Sequence, residues 1–174
     1  MADAPASGAG GGDPVEVQVL SAAPTLIIRE VNRMDNYEAF KEFMDANEVR
    51  YTEDKFESGD RFFSVPHRIK NGALINVIVV FAKTKIKILA LGIAEVEDEK
   101  KRAAFYELFN SFSMKYAFFK MYIRPEGRIC AETDLALDVV NGEFSAKGLM
   151  NFVMAAVFFV EKVYPEIMKI QWTD

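Results

Sequence analysis

Apolar residues change their spacing several times along this chain, and each change predicts a different secondary-structure element. From Asp35 onward the spacing is helical, because Tyr37, Phe40 and Met44 lie three or four positions apart. Asp35 is also a residue type that caps helix N-termini. The pattern therefore predicts a first helix over residues 35–46.

A charged segment follows, and the spacing then becomes that of strands. Residues 48–60 predict a loop that has room for a short strand near Tyr51. Alternating or continuous apolar residues then predict three consecutive strands, over residues 63–69, 73–82 and 85–93. Asn71-Gly72 predicts a two-residue hairpin between the first two strands, because both central residues of a type I′ turn need positive φ. The second strand is apolar on both faces, which indicates that something covers each side of it.

The second half of the chain repeats the change from helix to strands. A second helix is predicted from Lys101 to Lys115, with an apolar face made of Phe105, Leu108, Phe109 and Phe112. Residues 119–137 then alternate on either side of Pro125-Glu126-Gly127. This predicts a hairpin, because proline suits the first turn position and glycine the left-handed one.

A long apolar segment near the C-terminus predicts the last helix. Ser145 is its expected N-cap, and Phe144 and Leu149 are spaced as a hydrophobic staple. Residues 149–160 are apolar nearly all round the helix, which predicts burial between the sheet and a second layer. Two charged residues and a proline within 161–165 predict its end.

The predicted order of elements is α-β-β-β-α-β-β-α, which indicates the α+β class. We predict one antiparallel sheet of about five strands, with the first and last helices on one face of it. Three segments are expected: a disordered tail or linker at 1–13, an N-terminal arm or added strand at 14–34, and the α+β domain at 35–174.

Composition narrows the classes of protein to which this chain can belong. A length of 174 residues, with 51% hydrophobic residues and 15 phenylalanines, is enough for one aromatic-rich core. The net charge of -5 disfavours nucleic-acid binding, which needs a basic face. The single cysteine excludes an intramolecular disulfide, and the apolar runs are too short for a membrane span. We therefore expect a cytoplasmic location.

Two pairs of residues are candidate catalytic residues. His67 and Cys130 lie on different predicted strands and would begin a Cys-His nucleophile pair if they met, but the sequence supplies no oxyanion hole or orienting group. Glu132 and Asp134 share one face of a strand, either as an acid pair or as solvated acids near a sheet edge. In both cases we favour the structural interpretation.

Two charged groups have similarly simple explanations. The acids among residues 95–99 lack the spacing of a calcium loop, so they are predicted to begin the second helix, whose dipole favours them. Lys85 and Lys87 are interpreted as protective charges on a strand, with a weak anion site as the alternative. No catalytic residue, cofactor or metal is therefore predicted.

The order of the elements, the hairpin at residues 119–137 and a last helix that ends in Val163-Tyr164-Pro165-Glu166 make the chain resemble the YbjN family. The resemblance covers about Asp35 to Trp172. Members of this family are described as bacterial sensory transduction regulators, and their fold is similar to that of type III secretion chaperones. The resemblance implies a type III secretion chaperone-like fold, protein binding, and a dimer formed largely through the second helix. It carries over no catalytic residues.

The resulting prediction is a non-enzymatic protein-binding or regulatory module, a homodimer with a protein client or regulatory partner. The candidate partner surface comprises the second face of the sheet, the second helix and the far side of the last helix: Ile78, Val80, Leu89, Leu91, Phe118, Tyr122, Phe109, Phe112, Val157 and Phe158. One alternative is a monomer whose second sheet face is covered by residues 15–31. Another is a carrier of a small hydrophobic ligand, with a pocket lined by Phe81, Phe119, Phe158 and Phe159.

Overall fold

A computed structural model describes residues 33–70, 72–136 and 144–173. The predictions made for residues 1–32 and for Asn71 lie outside these described residues. Within them the chain forms three α-helices, a short 3-10 helix at Glu99–Lys101 and six strands. In chain order these are α1 (Arg33–Ala46), β1 (Thr52–Lys55), β2 (Arg61–Arg68), β3 (Leu74–Phe81), β4 (Lys85–Glu95), α2 (Arg102–Lys115), β5 (Lys120–Ile123), β6 (Arg128–Ala136) and α3 (Ala146–Trp172).

All six strands belong to one antiparallel sheet with the order β1-β2-β3-β4-β6-β5. The α+β class and the single antiparallel sheet are therefore confirmed. The described part of the chain has six strands where about five were predicted, and the additional one is β1, which lies where the sequence left room for a short strand near Tyr51. Its four residues are all exposed, so they show no alternation of buried and exposed positions that a sequence pattern could reveal.

The hairpin between β2 and β3 is confirmed, but its strands do not pair in the register that the predicted two-residue turn requires. Arg68 pairs with Leu74, and the Ile69 N–H donates to the Ala73 carbonyl at 3.2 Å, whereas a two-residue turn would pair Lys70 with Ala73. The Ile69 side chain is buried beneath Gly72, where an added Cβ would overlap it. Gly72 is thus needed for close packing against Ile69.

The hairpin between β5 and β6 follows the prediction. The Gly127 N–H donates to the Arg124 carbonyl at 2.9 Å, and Gly127 has a φ of 88°. The carbonyl of Gly127 also accepts from the Val96 N–H at 2.9 Å, which ties the turn to the end of β4. Glycine is required here both for its backbone conformation and for this close approach.

The three helices of the described residues lie on the same side of the sheet. On α1, the Tyr37 ring stacks on Phe63 of β2, with ring centroids 4.2 Å apart. On α3, Phe159 stacks on Phe119 at 5.1 Å and contacts Tyr116, which follows α2, at 5.2 Å. The prediction that the first and last helices share one face is confirmed, and α2 packs beside α3 on that face.

The start of α3 was predicted well and its end was not. The Ser145 side chain caps the helix by accepting from the Gly148 N–H at 3.0 Å. However, α3 continues through Pro165 to Trp172. Proline removes one helical hydrogen bond, but Val163 and Ile167 on either side of it are fully buried, so packing outweighs the local preference.

Candidate functional site

The strands present two different faces, and one of them is the candidate functional site. One side packs against the helices. The other side, which we name the distal face, carries Phe62, Leu74, Ile78, Val80, Leu89, Leu91 and Tyr122. Directly opposed residues share a face, and Ile78 lies opposite Leu89 across β3 and β4. None of the helices and loops that the structure describes forms a second layer on this side.

Half of the distal face is apolar and partly exposed. Leu74 is 53% exposed and Phe56, which precedes β2, is 46% exposed. The ring of Phe56 packs on Phe62 with centroids 4.6 Å apart, and Phe62 lies opposite Val80 of β3. Ile78, Leu89 and Leu91 are half-buried on the same face. Such an exposed apolar patch is the usual signature of a protein contact surface.

The other half of the distal face is charged. Lys85 Nζ lies 2.7 Å from an Asp134 carboxylate oxygen, and Lys87 Nζ lies 3.3 Å from Glu132. Lys120 adds a third contact, with its Nζ 3.4 Å from Glu132. Each of these lysines and acids therefore has a partner of opposite charge, which explains Lys85 and Lys87 without a bound anion.

Hydrogen bonds among the side chains of the charged half shift their pKa values. Partial burial alone would raise the pKa of Glu132, but hydrogen bonds from Tyr122 and Lys87 hold that pKa below its ordinary value. The pKa of Asp134 is lowered in the same way by Lys85. Burial, followed by the hydrogen bond that the Tyr122 hydroxyl donates to Glu132 at 3.0 Å, raises the pKa of Tyr122 to about 12. The acids are thus fixed as paired carboxylates, and they are poor candidates for acid-base catalysis at neutral pH.

The possible Cys-His pair does not form. Cys130 lies on the distal face opposite Tyr122, whereas His67 lies opposite Ile75 on the helix side. β3 and β4 separate their strands, which puts them roughly 14 Å apart across three strand spacings. Burial raises the pKa of the Cys130 thiol, so it is also a weak nucleophile.

The acids that precede α2 have a local structural role. Asp98 caps the 3-10 helix, because its carboxylate accepts from the Lys100 N–H at 2.9 Å. No group of histidine, cysteine, aspartate or glutamate side chains within the described ranges is arranged to hold a metal ion.

Five of the ten candidate partner residues lie on the distal face: Ile78, Val80, Leu89, Leu91 and Tyr122. Val80 is almost fully buried there. Phe118 was expected on the same face by continued alternation, but β5 begins only at Lys120, and Phe118 instead packs against Phe152 of α3, with centroids 6.4 Å apart. Whether these positions bind a partner stays a prediction.

The helical candidates divide into buried and exposed positions. Phe109, Phe112 and Val157 are buried inside the chain, so their side chains cannot contact a partner while this fold persists. Phe158 is 61% exposed on the outer side of α3. The outer side of α3 is therefore not buried under a second layer of described residues, contrary to the sequence-based expectation.

A second feature, which the sequence analysis missed, is an apolar cleft beside the first turns of α3. Its volume is about 430 Å³, and it is lined mainly by Ile86, Phe118, Leu135, Phe144, Leu149 and Phe152. These residues come from four separate segments, so no short sequence pattern could have joined them. The phenylalanines predicted for a carrier pocket do not line it, because Phe81, Phe119 and Phe159 pack in the core and Phe158 is exposed.

Comparisons with protein-family models, curated proteins and solved structures found no significant match to this chain. In the described part of the chain, no helix combines the length and hydrophobicity that crossing a membrane requires. What the chain binds must therefore be inferred from its own surfaces.

Proposed function

We propose that this chain is a non-enzymatic protein-binding or regulatory module that recognises a protein partner through the distal face. The observation that carries this proposal is the placement of the described helices on one side of the sheet, which leaves apolar side chains such as Leu74 exposed on the other. Covering these side chains with a partner removes apolar surface from water and is favourable. The resemblance to YbjN-family regulators and secretion chaperones points in the same direction.

The arrangement of charge supports binding rather than catalysis. Glu132 and Asp134 are paired with lysines, and Cys130 is buried away from His67. A patch with an apolar part beside paired charges suits recognition, because the apolar part supplies affinity and the charges favour one orientation.

The partner that we propose for the distal face is a second copy of the chain, which gives a homodimer. The resemblance implies a dimer through α2, but Phe105, Phe109 and Phe112 of α2 all face the core. The large exposed apolar side chains of α2, Tyr106 and Met114, lie two turns apart on the helix, whereas Ile78, Leu89 and Leu91 are neighbours on the distal face. A second copy of the chain would cover the distal face with the same patch, as two-fold symmetric interfaces do.

Light scattering at micromolar concentration tests this proposal with a matched pair of variants. We expect the native chain to be a dimer, Leu74→Glu on the distal face to shift it toward the monomer, and Met114→Glu on α2 to leave the dimer unchanged. The opposite pattern would favour the α2 dimer. If the full chain and a shortened chain that begins at Arg33 are both monomeric and soluble, the proposal loses its physical basis.

The alternative function, a carrier of a small hydrophobic ligand, has less support. The pocket expected for it is filled by side chains of the core, as the stacking of Phe119 on Phe159 shows. The apolar cleft beside α3 is the feature that remains in its favour.

A further inference from the structure

The apolar cleft beside α3 lies along an edge of the sheet. Four consecutive residues of β6, at positions 133–136, line it together with the first turns of α3. β5 begins at Lys120, which pairs with Glu132, so the last residues of β6 extend beyond the start of β5. One wall of the cleft is therefore a strand edge that β5 does not cover.

The direction of the backbone groups along this edge follows from hydrogen bonds at both ends of β6. In an antiparallel sheet the N–H and C=O groups of one residue point to the same neighbouring strand, and those of the next residue point to the other. The Arg128 carbonyl accepts from the Arg124 N–H at 2.9 Å, so Arg128 points toward β5. The Lys85 carbonyl accepts from the Ala82 N–H at 3.0 Å, so Lys85 points toward β3 and its partner Ala136 points away from β4.

Alternation along β6 from either end gives the same result for the residues at the cleft. The N–H and C=O groups of Asp134 and Ala136 point to the open side, beyond the start of β5. Among the residues that the structure describes, none forms a backbone hydrogen bond with them on that side. A strand edge with unpaired backbone groups is a template for pairing with another extended chain.

The faces of β6 determine which side chains such a chain needs. Thr133 and Leu135 lie opposite Ile88 and Ile86, which are buried on the helix side, and both line the cleft. Directly opposed residues share a face, so a residue opposite Leu135 points into the cleft. The cleft has a volume of about 430 Å³ and an apolar lining, so this residue should be apolar.

The residues on either side of that apolar one point to the charged half of the distal face. In β5, Lys120 stands opposite Glu132 with its Nζ 3.4 Å from the carboxylate, and a basic residue opposite Asp134 repeats this arrangement. A residue opposite Ala136 has only that small side chain between itself and Lys85. Charge complementarity therefore favours a basic residue opposite Asp134 and an acidic one opposite Ala136.

We propose that the open edge of β6 binds an extended segment of another protein as an added antiparallel strand. Because the added strand runs opposite to β6, its sequence from N- to C-terminus is acidic, apolar, basic. The acidic and basic residues exchange backbone hydrogen bonds with Ala136 and Asp134, and the apolar side chain enters the cleft. This surface is separate from the apolar half of the distal face, so the proposal does not depend on the dimer proposed above.

A pair of short peptides tests the sequence order on the full-length chain. The probe is acetyl-Ser-Glu-Ile-Lys-Ser-amide, and the control is acetyl-Ser-Lys-Ile-Glu-Ser-amide, which has the same composition. We expect the probe to bind several-fold more tightly in a nuclear magnetic resonance titration, and to bind the Leu74→Glu variant as tightly as the native chain. Equal affinities for the two peptides, or no binding of the probe, overturn the proposal.

N-methylated probes test the backbone pairing without changing the protein. Methylation of the lysine nitrogen of the peptide backbone removes an N–H that points toward Asp134, so affinity should fall several-fold. Methylation of the isoleucine nitrogen removes an N–H that points away from β6, so affinity should stay the same. Equal effects of the two methyl groups would show that the peptide binds without strand pairing and would overturn the proposal.

Amide hydrogen exchange locates the contact. The Asp134 and Ala136 amides should exchange rapidly in the free chain and several-fold more slowly in the presence of the probe. The Leu135 amide, which points to β4, is the control, and its exchange rate should not change. Slow exchange of Asp134 and Ala136 without the probe also overturns the proposal, because the edge would then already be paired.

Discussion

The guanidinium carbon of Arg61 lies 3.4 Å from the centroid of the Tyr37 ring. The ring also stacks on Phe63, and its hydroxyl donates to Glu53 at 2.7 Å. Arg61 in turn donates to Glu38 at 2.8 Å. Tyr37 thus joins α1 to both β1 and β2, which explains why the exposed strand β1 stays attached to the sheet.

Two substitutions at Tyr37 separate the contributions of its ring and its hydroxyl. Tyr37→Phe keeps the stacking and removes the hydrogen bond to Glu53, so we expect a loss of about 1 kcal/mol in the free energy of unfolding. Tyr37→Ala should cost about 3 to 5 kcal/mol, because the ring is buried. Urea unfolding followed by circular dichroism gives both values. Equal losses would contradict the role assigned to the ring.

Acid should weaken the charged half of the distal face. The folded pKa of Glu132 is below its unfolded value, so its ionised form stabilises the fold above the unfolded pKa of about 4.3. This stabilisation is lost as the pH falls through the folded pKa. We expect Glu132→Gln to be less stable than the native chain by about 1 to 2 kcal/mol at pH 7, with the difference shrinking below about pH 4.

The control for that measurement is Glu107→Gln on the exposed side of α2. It should change the free energy of unfolding by less than about 0.5 kcal/mol at either pH. A difference for Glu132→Gln that does not depend on pH would mean that the charge of Glu132 is not what stabilises the fold.

Two glycines with the same backbone conformation allow the cost of left-handed backbone strain to be measured separately from the cost of steric crowding. Gly59 and Gly127 have φ values of 87° and 88°. A Cβ at Gly59 meets nothing within 4 Å, whereas one at Gly127 would lie 3.1 Å from the Val96 carbonyl oxygen. We expect Gly59→Ala to cost about 1 to 2 kcal/mol in chemical denaturation, from the left-handed conformation alone. Gly127→Ala should cost measurably more, and equal costs would show that the turn can move away from Val96.

Truncation of phenylalanines should follow their burial. Phe40 is fully buried, so Phe40→Ala should cost about 3 to 5 kcal/mol. Phe152 is only half-buried at the cleft, so a smaller loss is expected for Phe152→Ala. Phe158→Ala, on the outer side of α3, should change the free energy of unfolding least. A denaturant series on the three variants checks this order.

The successes and errors of the sequence analysis have physical causes. The spacing of Phe105, Phe109 and Phe112 identified the apolar face of α2 correctly. The same spacing could not tell whether that face is buried within this chain or against another, and here it is buried within. Pro165 was interpreted as a helix end because local preference was the available information, whereas the burial of Ile167 depends on residues distant in sequence.

The cleft could not be predicted from the sequence, because it exists only in the tertiary structure. Its lining combines Ile86 of β4, Leu135 of β6 and Phe152 of α3, which become neighbours only once the sheet has formed. The distal face was more accessible to prediction, because strict alternation along β3 and β4 places Ile78 and Leu89 on one side. The prediction of alternating faces was wrong at Phe118, because β5 begins only at Lys120.

Trp172, the last residue of the long helix α3, is a natural fluorescence probe. The helix has 27 residues, about 40 Å, and it ends at Trp172, which is the single tryptophan and is 77% exposed. Its indole is hydrated in the native state, so unfolding should change the emission wavelength very little. A shift to shorter wavelengths on mixing with another molecule would instead indicate contact at this end of α3. Tryptophan emission and circular dichroism, recorded on the same sample, therefore separate association from loss of structure without any attached label.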